Sequence, residues 1–447
     1  MPSKLDPFRN NAKQGFYLGW VMVGLAFINL GVIFGIWYSF SVFFLALVQE
    51  FHWSRAVAAS IFSIFIFCQS LTGPLAGRLM DSAGPRVTIP LGAVILAGGL
   101  VLVSQAGSLN EFRLAYGVAA SFGVGLMGFS AHAAWLPRWF ERQRGLSLGI
   151  AMSGIGVGVL LLVPAAEFLI SHYGWRNAYL VLAAIVLVIL LPLNLLFARR
   201  SPADLGLQPD GGRPSHKSGQ SGPATIVVMD KTWAHKDWGL KEAAKTRRFW
   251  LLMAAVGFGS FCYQGAFMHA VAGMVDGGVD KSRAALFLGI MGIVGSMGKI
   301  GFGFISDRLG RELANTLAAG VASLGIFFMV ILTPNSVVLP LLFAILFGFG
   351  YGAAAPLFPS VAADLFFGRS FGVIVAVIFL GASIGGSLGP LIMGLLRDIS
   401  GDYDLSFEFA MVMLWLSCLL IWLTAPRKVR RVGRTKPSKG SGEVPPI

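Results

Sequence analysis

Gly77-Arg78-Leu79-Met80-Asp81-Ser82-Ala83-Gly84-Pro85-Arg86 separates two apolar stretches, and Gly303-Phe304-Ile305-Ser306-Asp307-Arg308-Leu309-Gly310-Arg311 separates two others. In each, a carboxylate stands four residues after one glycine and three before the next. That spacing suits a tight reversal between helices, the carboxylate capping a helix start and the glycine allowing the turn. Asp81 and Asp307 lie 226 positions apart, and Pro164 and Pro390 share the offset. The chain therefore reads as two copies of one unit.

The flanking stretches extend the pattern. Of 447 residues, 55% are hydrophobic and only 13% charged, with mean hydropathy +0.73; a soluble chain carries about a quarter charged residues. Apolar runs of about 20 residues or more, each able to cross a ~30 Å hydrocarbon core as a helix, recur at 17–45, 56–79, 87–106, 112–136, 145–171, 177–198, 249–275, 283–305, 313–333, 337–363, 370–396 and 407–425. The fold class expected is an all-α membrane protein with twelve transmembrane helices in two pseudo-symmetric six-helix halves. The parts are an N-terminal tail (1–16), a first bundle (17–198), a linker (199–248), a second bundle (249–425) and a basic tail (426–447). The linker is rich in Gly, Pro, Ser and Lys, and its end, 230–245, suits a surface amphipathic helix anchored by Trp233 and Trp238. The first apolar run is too long for a signal peptide and has no small-residue cleavage site after it. Cys68, Cys262 and Cys418 all fall in apolar spans, as buried thiols would.

The net charge of +14 is an orientation signal. With twelve spans, one set of alternate loops and tails holds 28 of the 35 Lys and Arg; the other holds Arg55, Arg113, Arg176, Lys281, Arg283 and Arg397. The bias places both termini in the cytoplasm; the membrane expected is the cytoplasmic (inner) one. The tail residues Arg427, Lys428, Arg430, Arg431, Arg434 and Lys436 can touch anionic lipid. No aromatic-interleaved basic module accompanies these charges, so nucleic acid is not an expected partner. Gly154-x-Gly156-x-Gly158 and the glycines from Gly381 to Gly389 lie in spans with no strand before them, so they suit helix packing rather than a nucleotide. No metal cluster or nucleophile triad is present, and neither a cofactor nor an enzyme is expected.

The repeated loop resembles the signature of the major facilitator superfamily. The resemblance implies that the loop helps latch the cytoplasmic side closed, a role carried to Asp81, Arg86, Asp307, Arg308 and Arg311. The first copy departs by having Pro85 and no basic residue directly after Asp81. Gly19-Trp20-Val21, Gly35-Ile36-Trp37-Tyr38-Ser39-Phe40, and Trp139-Phe140-Glu141-Arg142-Gln143-Arg144-Gly145-Leu146 are similar to motifs of the monocarboxylate transporter family. His52-Trp53-Ser54 and His172-Tyr173-Gly174-Trp175-Arg176 fit its bacterial members, which include oxalate–formate antiporters.

Lys299 is the remaining cation, deep in the eighth span. An isolated ammonium there costs several kcal/mol unless it faces a wet cavity or a partner; snorkelling to the interface is the alternative. The resemblance implies a cationic residue, usually Arg, at this place to hold a substrate carboxylate. Lys instead offers a point charge without a bidentate fork. Animal carriers of that family place an Asp one turn earlier for proton coupling; here the position is Gly295. His132 is a candidate cavity and proton-carrying residue, with a structural hydrogen bond as the alternative, and the resemblance implies a substrate or gating role for His269. Tyr38, Tyr263 and Tyr351 bring hydroxyls to spans that line the cavity in the superfamily. Glu167, about 34 Å along its helix from Arg144, belongs near the outer surface as a vestibule or interfacial group.

The expected function is secondary transport of a small organic anion, with protons or a counter-anion as coupling partner, by a protein working as a monomer. A proton-driven drug or metabolite exporter of the same superfamily is the nearest alternative. A transporter-like membrane sensor is the alternative from another class.

Overall fold

The computed structural model describes residues 17–140, 143–212, 226–234, 236–334, 336–366, 368 and 370–432. Ten of its helices are long and apolar enough to cross a membrane, and a bent pair adds an eleventh. In order these are α1 (Gly19–Phe51), α2 (Arg55–Leu71, continued at a 40° bend by Gly73–Ser82), α3 (Pro85–Gln105), α4 (Leu109–Arg138), the run Leu146–Phe197, α7 (Arg247–Asp276), α8 (Lys281–Leu309), α9 (Arg311–Val330), α10 (Val338–Phe366), α11 (Phe371–Ser400) and α12 (Asp404–Lys428). The run Leu146–Phe197 has 52 residues, about 78 Å of helix, more than twice what a bilayer core needs. Inside it Gly174 has φ 79° and ψ 157°, a backbone region open to glycine alone. It divides the run into α5 (146–173) and α6 (175–197), and the count of twelve is restored.

The repeated loops share a second backbone device. Gly84 (φ 75°, ψ 177°) and Gly310 (φ 91°, ψ 163°) both adopt a conformation that a side chain would strain, and each reverses the chain between one helix and the next. The pseudo-symmetry extends to packing. α1 lies along α5 and α7 along α11; between the halves, α5 meets α8 and α2 meets α11. Without side chains in the way, the backbones come very close. A Cβ on Gly158 would lie 1.8 Å from the Gly31 carbonyl oxygen, and one on Gly385 would lie 1.9 Å from that of Gly257. Gly31 and Gly257 are again 226 positions apart. Small residues at such crossings let dispersion contacts and Cα–H contacts hold helices together where the hydrophobic effect cannot.

Both described ends lie on the face that carries the repeated loops, here called the terminal face. There the structure corrects two expectations about the linker. Its end is not one amphipathic surface helix: it forms two short helices, Lys231–Ala234 and Leu240–Ala243. Trp238 is 3% exposed and packs with Phe366, while the Trp233 indole N–H donates to the Leu365 carbonyl at 2.7 Å. Both indoles therefore grip the end of α10. The all-α description also needs one addition. β1 (Ile226–Val228) pairs antiparallel with β2 (Arg430–Val432), tying linker to tail; Arg430 donates to the Ala363 and Ala234 carbonyls. The tail residues Arg434 and Lys436 lie outside the described residues, as do 1–16 and Arg142.

Candidate functional site

α8 shows one face to its surroundings through Met297, Ile300 and Phe304, all exposed, and buries Gly295, Ser296, Phe302 and Ser306 on the other. Lys299 lies on the buried face, ten residues and so about 15 Å from the terminal-face end of the helix. It has no hydrogen-bond or ion-pair partner among the described residues. Around it α8 crosses α10 at backbone distance: a Cβ on Gly352 would lie 2.3 Å from the Gly295 carbonyl oxygen and 2.7 Å from the Lys299 nitrogen. One on Gly295 would lie 3.5 Å from the Tyr351 ring. Gly295, where the resemblance implies an Asp in the animal carriers, is thus a packing position against Tyr351.

Tyr351 connects Lys299's surroundings to the other half. Its hydroxyl is 2.7 Å from that of Tyr38 on α1, and the Tyr263 ring meets it edge-on at 5.4 Å. Phe267 lies over Tyr38 at 4.0 Å between centroids. Tyr38, Tyr263 and Tyr351 therefore form one aromatic cluster where α1, α7 and α10 converge, directly beside the α8–α10 crossing.

The two histidines stand apart from that cluster. His132 contacts the Gly128 carbonyl at 3.0 Å through Nδ1 and the Asn29 amide at 3.3 Å through Nε2. Asn29 and Asn194 exchange hydrogen bonds of 3.0 and 2.7 Å. All three side chains are 0–1% exposed, so His132 belongs to a polar core inside the first bundle. His269 has Tyr403 Oη at 3.0 Å on Nδ1 and the Pro390 carbonyl at 2.8 Å on Nε2. The latter oxygen belongs to the proline within α11. Both ring nitrogens of each histidine are engaged with protein groups, an arrangement suited to structural hydrogen bonding.

Glu167 lies on the face opposite the termini. It accepts from Ser171 of its own helix at 2.6 Å and from Ser282 of α8 at 2.8 Å, beside a cavity of about 400 Å³ that Gln49, Glu50, Trp175 and Lys281 also line. This contact is one of several that join the halves there. Lys281 donates to Gln49 of α1 at 3.0 Å. Arg55, first residue of α2, pairs with Asp276 at the end of α7 at 2.9 Å, and Arg397 of α11 pairs with the same carboxylate at 3.1 Å. Asp398 accepts the backbone N–H groups of Arg55 and Ala56, each at 2.8 Å, capping α2 from the other half. The sequence held no signal for these partners beyond their place in the charge-poor loops.

On the terminal face the repeated loops act within their own halves. Asp81 pairs with Arg138 at the end of α4, and Arg86 donates to the Leu196 carbonyl at 3.2 Å. In the second copy Arg311 holds Asp307 at 2.8 Å and Asp364 of α10 at 3.0 Å. Arg308 stacks on Phe304, 3.7 Å from its centroid. Arg138 and Asp364, both missed by sequence reasoning, are themselves 226 positions apart; the offset that identified the loops was signal enough to find them.

Twelve spans in two like halves, a glycine-turned loop repeated at the same place in each, and a cluster at their meeting point are matched by the family model described as Major Facilitator Superfamily, over residues 25–386. The chain belongs to this superfamily. It is a multi-pass membrane transporter rather than an enzyme. It is 28% identical to monocarboxylate transporter 13 of Bos taurus, over 88% of this chain and 86% of that one. It is 29% identical to monocarboxylate transporter 12 of Xenopus laevis, over 90% and 88%. Among solved structures it is similar to a bacterial homologue of the human lysosomal transporter Spinster in an inward-facing, occupied conformation. That match has a TM-score of 0.68 and 18% identity, covering 94% of this chain and 99% of that one; it speaks for the fold.

Proposed function

We propose that this transporter carries a small organic anion, a monocarboxylate or similar carboxylate, across the cytoplasmic membrane by alternating access, with Lys299 as the cation that receives the carboxylate. The observation that carries the reading is an ammonium without a partner among the described residues, on the buried face of α8 and beside an aromatic cluster that bridges the halves. The names of the relatives support the same substrate class. The basic residues gathered in the loops and tails of the terminal face support a cytoplasmic position for that face.

Empty, the site holds one uncompensated charge, and burying it from water is unfavourable. A carboxylate that pairs with Lys299 removes the penalty, so the loaded site closes more readily than the empty one. Tyr351 and Tyr38 can each donate one hydroxyl hydrogen to the second carboxylate oxygen, at the cost of their mutual bond. Gly295 supplies no carboxylate, so the reading requires exchange of one anion for another or a proton site elsewhere.

Proteoliposomes containing the purified protein test it. Uptake should be screened with lactate, pyruvate, oxalate, formate and aromatic acids, at two pH values, with and without a counter-anion inside. Lys299→Gln is expected to lower uptake of the accepted anion by at least about tenfold. Unimpaired transport by this variant, or transport of neutral and cationic solutes that ignores Lys299, would sink the proposal.

A further inference from the structure

We infer that the terminal face carries a binding site for an anionic phospholipid at the junction of the linker, α7 and α12. A cavity of about 440 Å³ opens there, lined by Trp233, Thr246, Arg247, Arg248, Leu251 and Leu423. It stands at the water–hydrocarbon boundary, because α7 begins at Arg247 and the helical part of α12 ends at Thr424. The lining is layered. Thr246 and the two arginines form the rim, while Leu251, one turn further along α7, and Leu423, in the last turn of α12, lie on the membrane side.

The rim is built to hold an anion. The Arg248 guanidinium lies 4.3 Å from the centroid of Trp233, and Trp233 is itself fixed by its bond to Leu365. Arg248 is thus pre-positioned, and cation–π stacking leaves its N–H edges free to bind. Arg247 beside it is exposed and has no hydrogen-bond or ion-pair partner among the described residues. Asp230 interacts electrostatically with Arg248, and its Oδ1 accepts from the Thr232 hydroxyl and the Trp233 backbone N–H. The cavity therefore keeps an excess of positive charge over an apolar floor. A phosphodiester on the guanidinium forks with acyl chains over the two leucines matches that layering. By contrast Arg427 and Arg430 of the basic tail are turned to protein, on Trp422 and on backbone carbonyls.

A lipid seated there would clamp the linker to the second bundle while leaving the first free to move. The test is lipid binding to the full-length protein in detergent, followed by native mass spectrometry and thermal unfolding with phosphatidylglycerol, phosphatidylcholine or inorganic phosphate. Phosphatidylglycerol is expected to bind and raise the melting temperature, phosphatidylcholine not. Arg247→Gln should weaken phosphatidylglycerol about fivefold, as ~1 kcal/mol per basic residue at an anionic surface implies, and Arg247→Gln with Arg248→Gln further. Lys428→Gln with Arg431→Gln should leave binding within about twofold. Because Arg248→Gln can disturb Trp233, the single Arg247→Gln variant carries the decision if the double variant fails to fold. Equal binding to wild type and Arg247→Gln, or equal stabilisation by phosphatidylcholine or by inorganic phosphate, would overturn the assignment. None of these readouts depends on which anion is transported.

Discussion

The two copies of the repeated loop solve one electrostatic problem with opposite charges. In the first, Asp81 finds its cation at the end of α4, in Arg138. In the second, the position equivalent to Arg138 is Asp364, so a cation must stand between two carboxylates, and Arg311 does so. Arg311 occupies the place of Pro85, the first residue of its helix in each copy. Where the second copy has Arg311 the first has Pro85, and the cation for its carboxylate comes instead from α4. This yields a specific expectation. Arg138→Asp sets two carboxylates against each other and should lower the melting temperature; adding Pro85→Arg rebuilds the second copy's arrangement and should restore most of it. A double-mutant cycle should show coupling of about 1 kcal/mol, and no rescue would refute the equivalence. The histidines mark the limit of reading residues one at a time. His132 takes its polarity from Asn29 and Asn194, which lie 103 positions before it and 62 after it in the chain, and no local pattern announces such a partner. Asn194→Ala removes both amide–amide hydrogen bonds of Asn29 and leaves it the 3.3 Å contact with His132; about 1–3 kcal/mol of destabilisation is expected, read as a lower melting temperature with the anion preference unchanged.

Helices were the most legible level, because a span is defined by the solvent it crosses. Every apolar run read from the sequence lies over a helix or half of a broken one, and the break at Gly174 falls between two of them. Failure came in the linker. Trp233 and Trp238 read as lipid anchors because an aromatic residue in a polar segment shows affinity for something apolar without saying what; here it is the end of α10. Crossings between helices are the place where an element can be tested by itself. Gly158→Leu forces a side chain into the Gly31 carbonyl and should abolish folded protein or transport. Gly98→Ala, where a Cβ meets nothing within 4 Å, should leave both intact, with detergent size-exclusion profiles and uptake as the measurements. The N-terminal entry of α1 offers a pH test. The Tyr17 hydroxyl donates to the Trp139 carbonyl at 2.5 Å, and burial pushes this phenol up to about 12. A raised folded-state value means that its contribution is complete below the unfolded value near 10 and is lost as pH rises from there through 12. Wild type should therefore lose melting temperature over that window more steeply than Tyr17→Phe, and parallel curves would show that the contact contributes nothing.

For the whole molecule the decisive asymmetry is where the ties between halves lie. On the face opposite the termini, Arg55, Asp276 and Asp398 bind α2 to α7 and α11, while Gln49 with Lys281 and Glu167 with Ser282 bind α1 and α5 to α8. Among the described residues, the ion pairs of Asp81, Asp307 and Arg311 on the terminal face each join residues of one half. Rocking the halves to open the opposite face must break the first set and leave the second intact. Asp276 is the most connected member, holding Arg55 of one half and Arg397 of its own. Asp276→Asn keeps the shape and removes the charge. Exposed pairs contribute up to about 1 kcal/mol each, and the Arg55 contact, made through Nη2 by a side chain only 11% exposed, is only partly screened, so the open-to-closed ratio on that face should rise about three- to tenfold. Labelling of a cysteine placed at Val271, on the cavity beside Glu167, with an impermeant maleimide measures that ratio. Asp276→Asn should accelerate labelling, Asp398→Asn should act in the same direction by uncapping α2, and Asp307→Asn should not. The added anion separates gate from site. If the seal and Lys299 act as one alternating-access cycle, saturating anion should change the labelling rate of Asp276→Asn protein but leave that of Lys299→Gln protein unchanged. A seal whose loss changes labelling nowhere would mean that the halves are held by the close α5–α8 and α2–α11 contacts alone, such as Gly156 against the Gly292 carbonyl and Gly394 against Arg55 and Ala56.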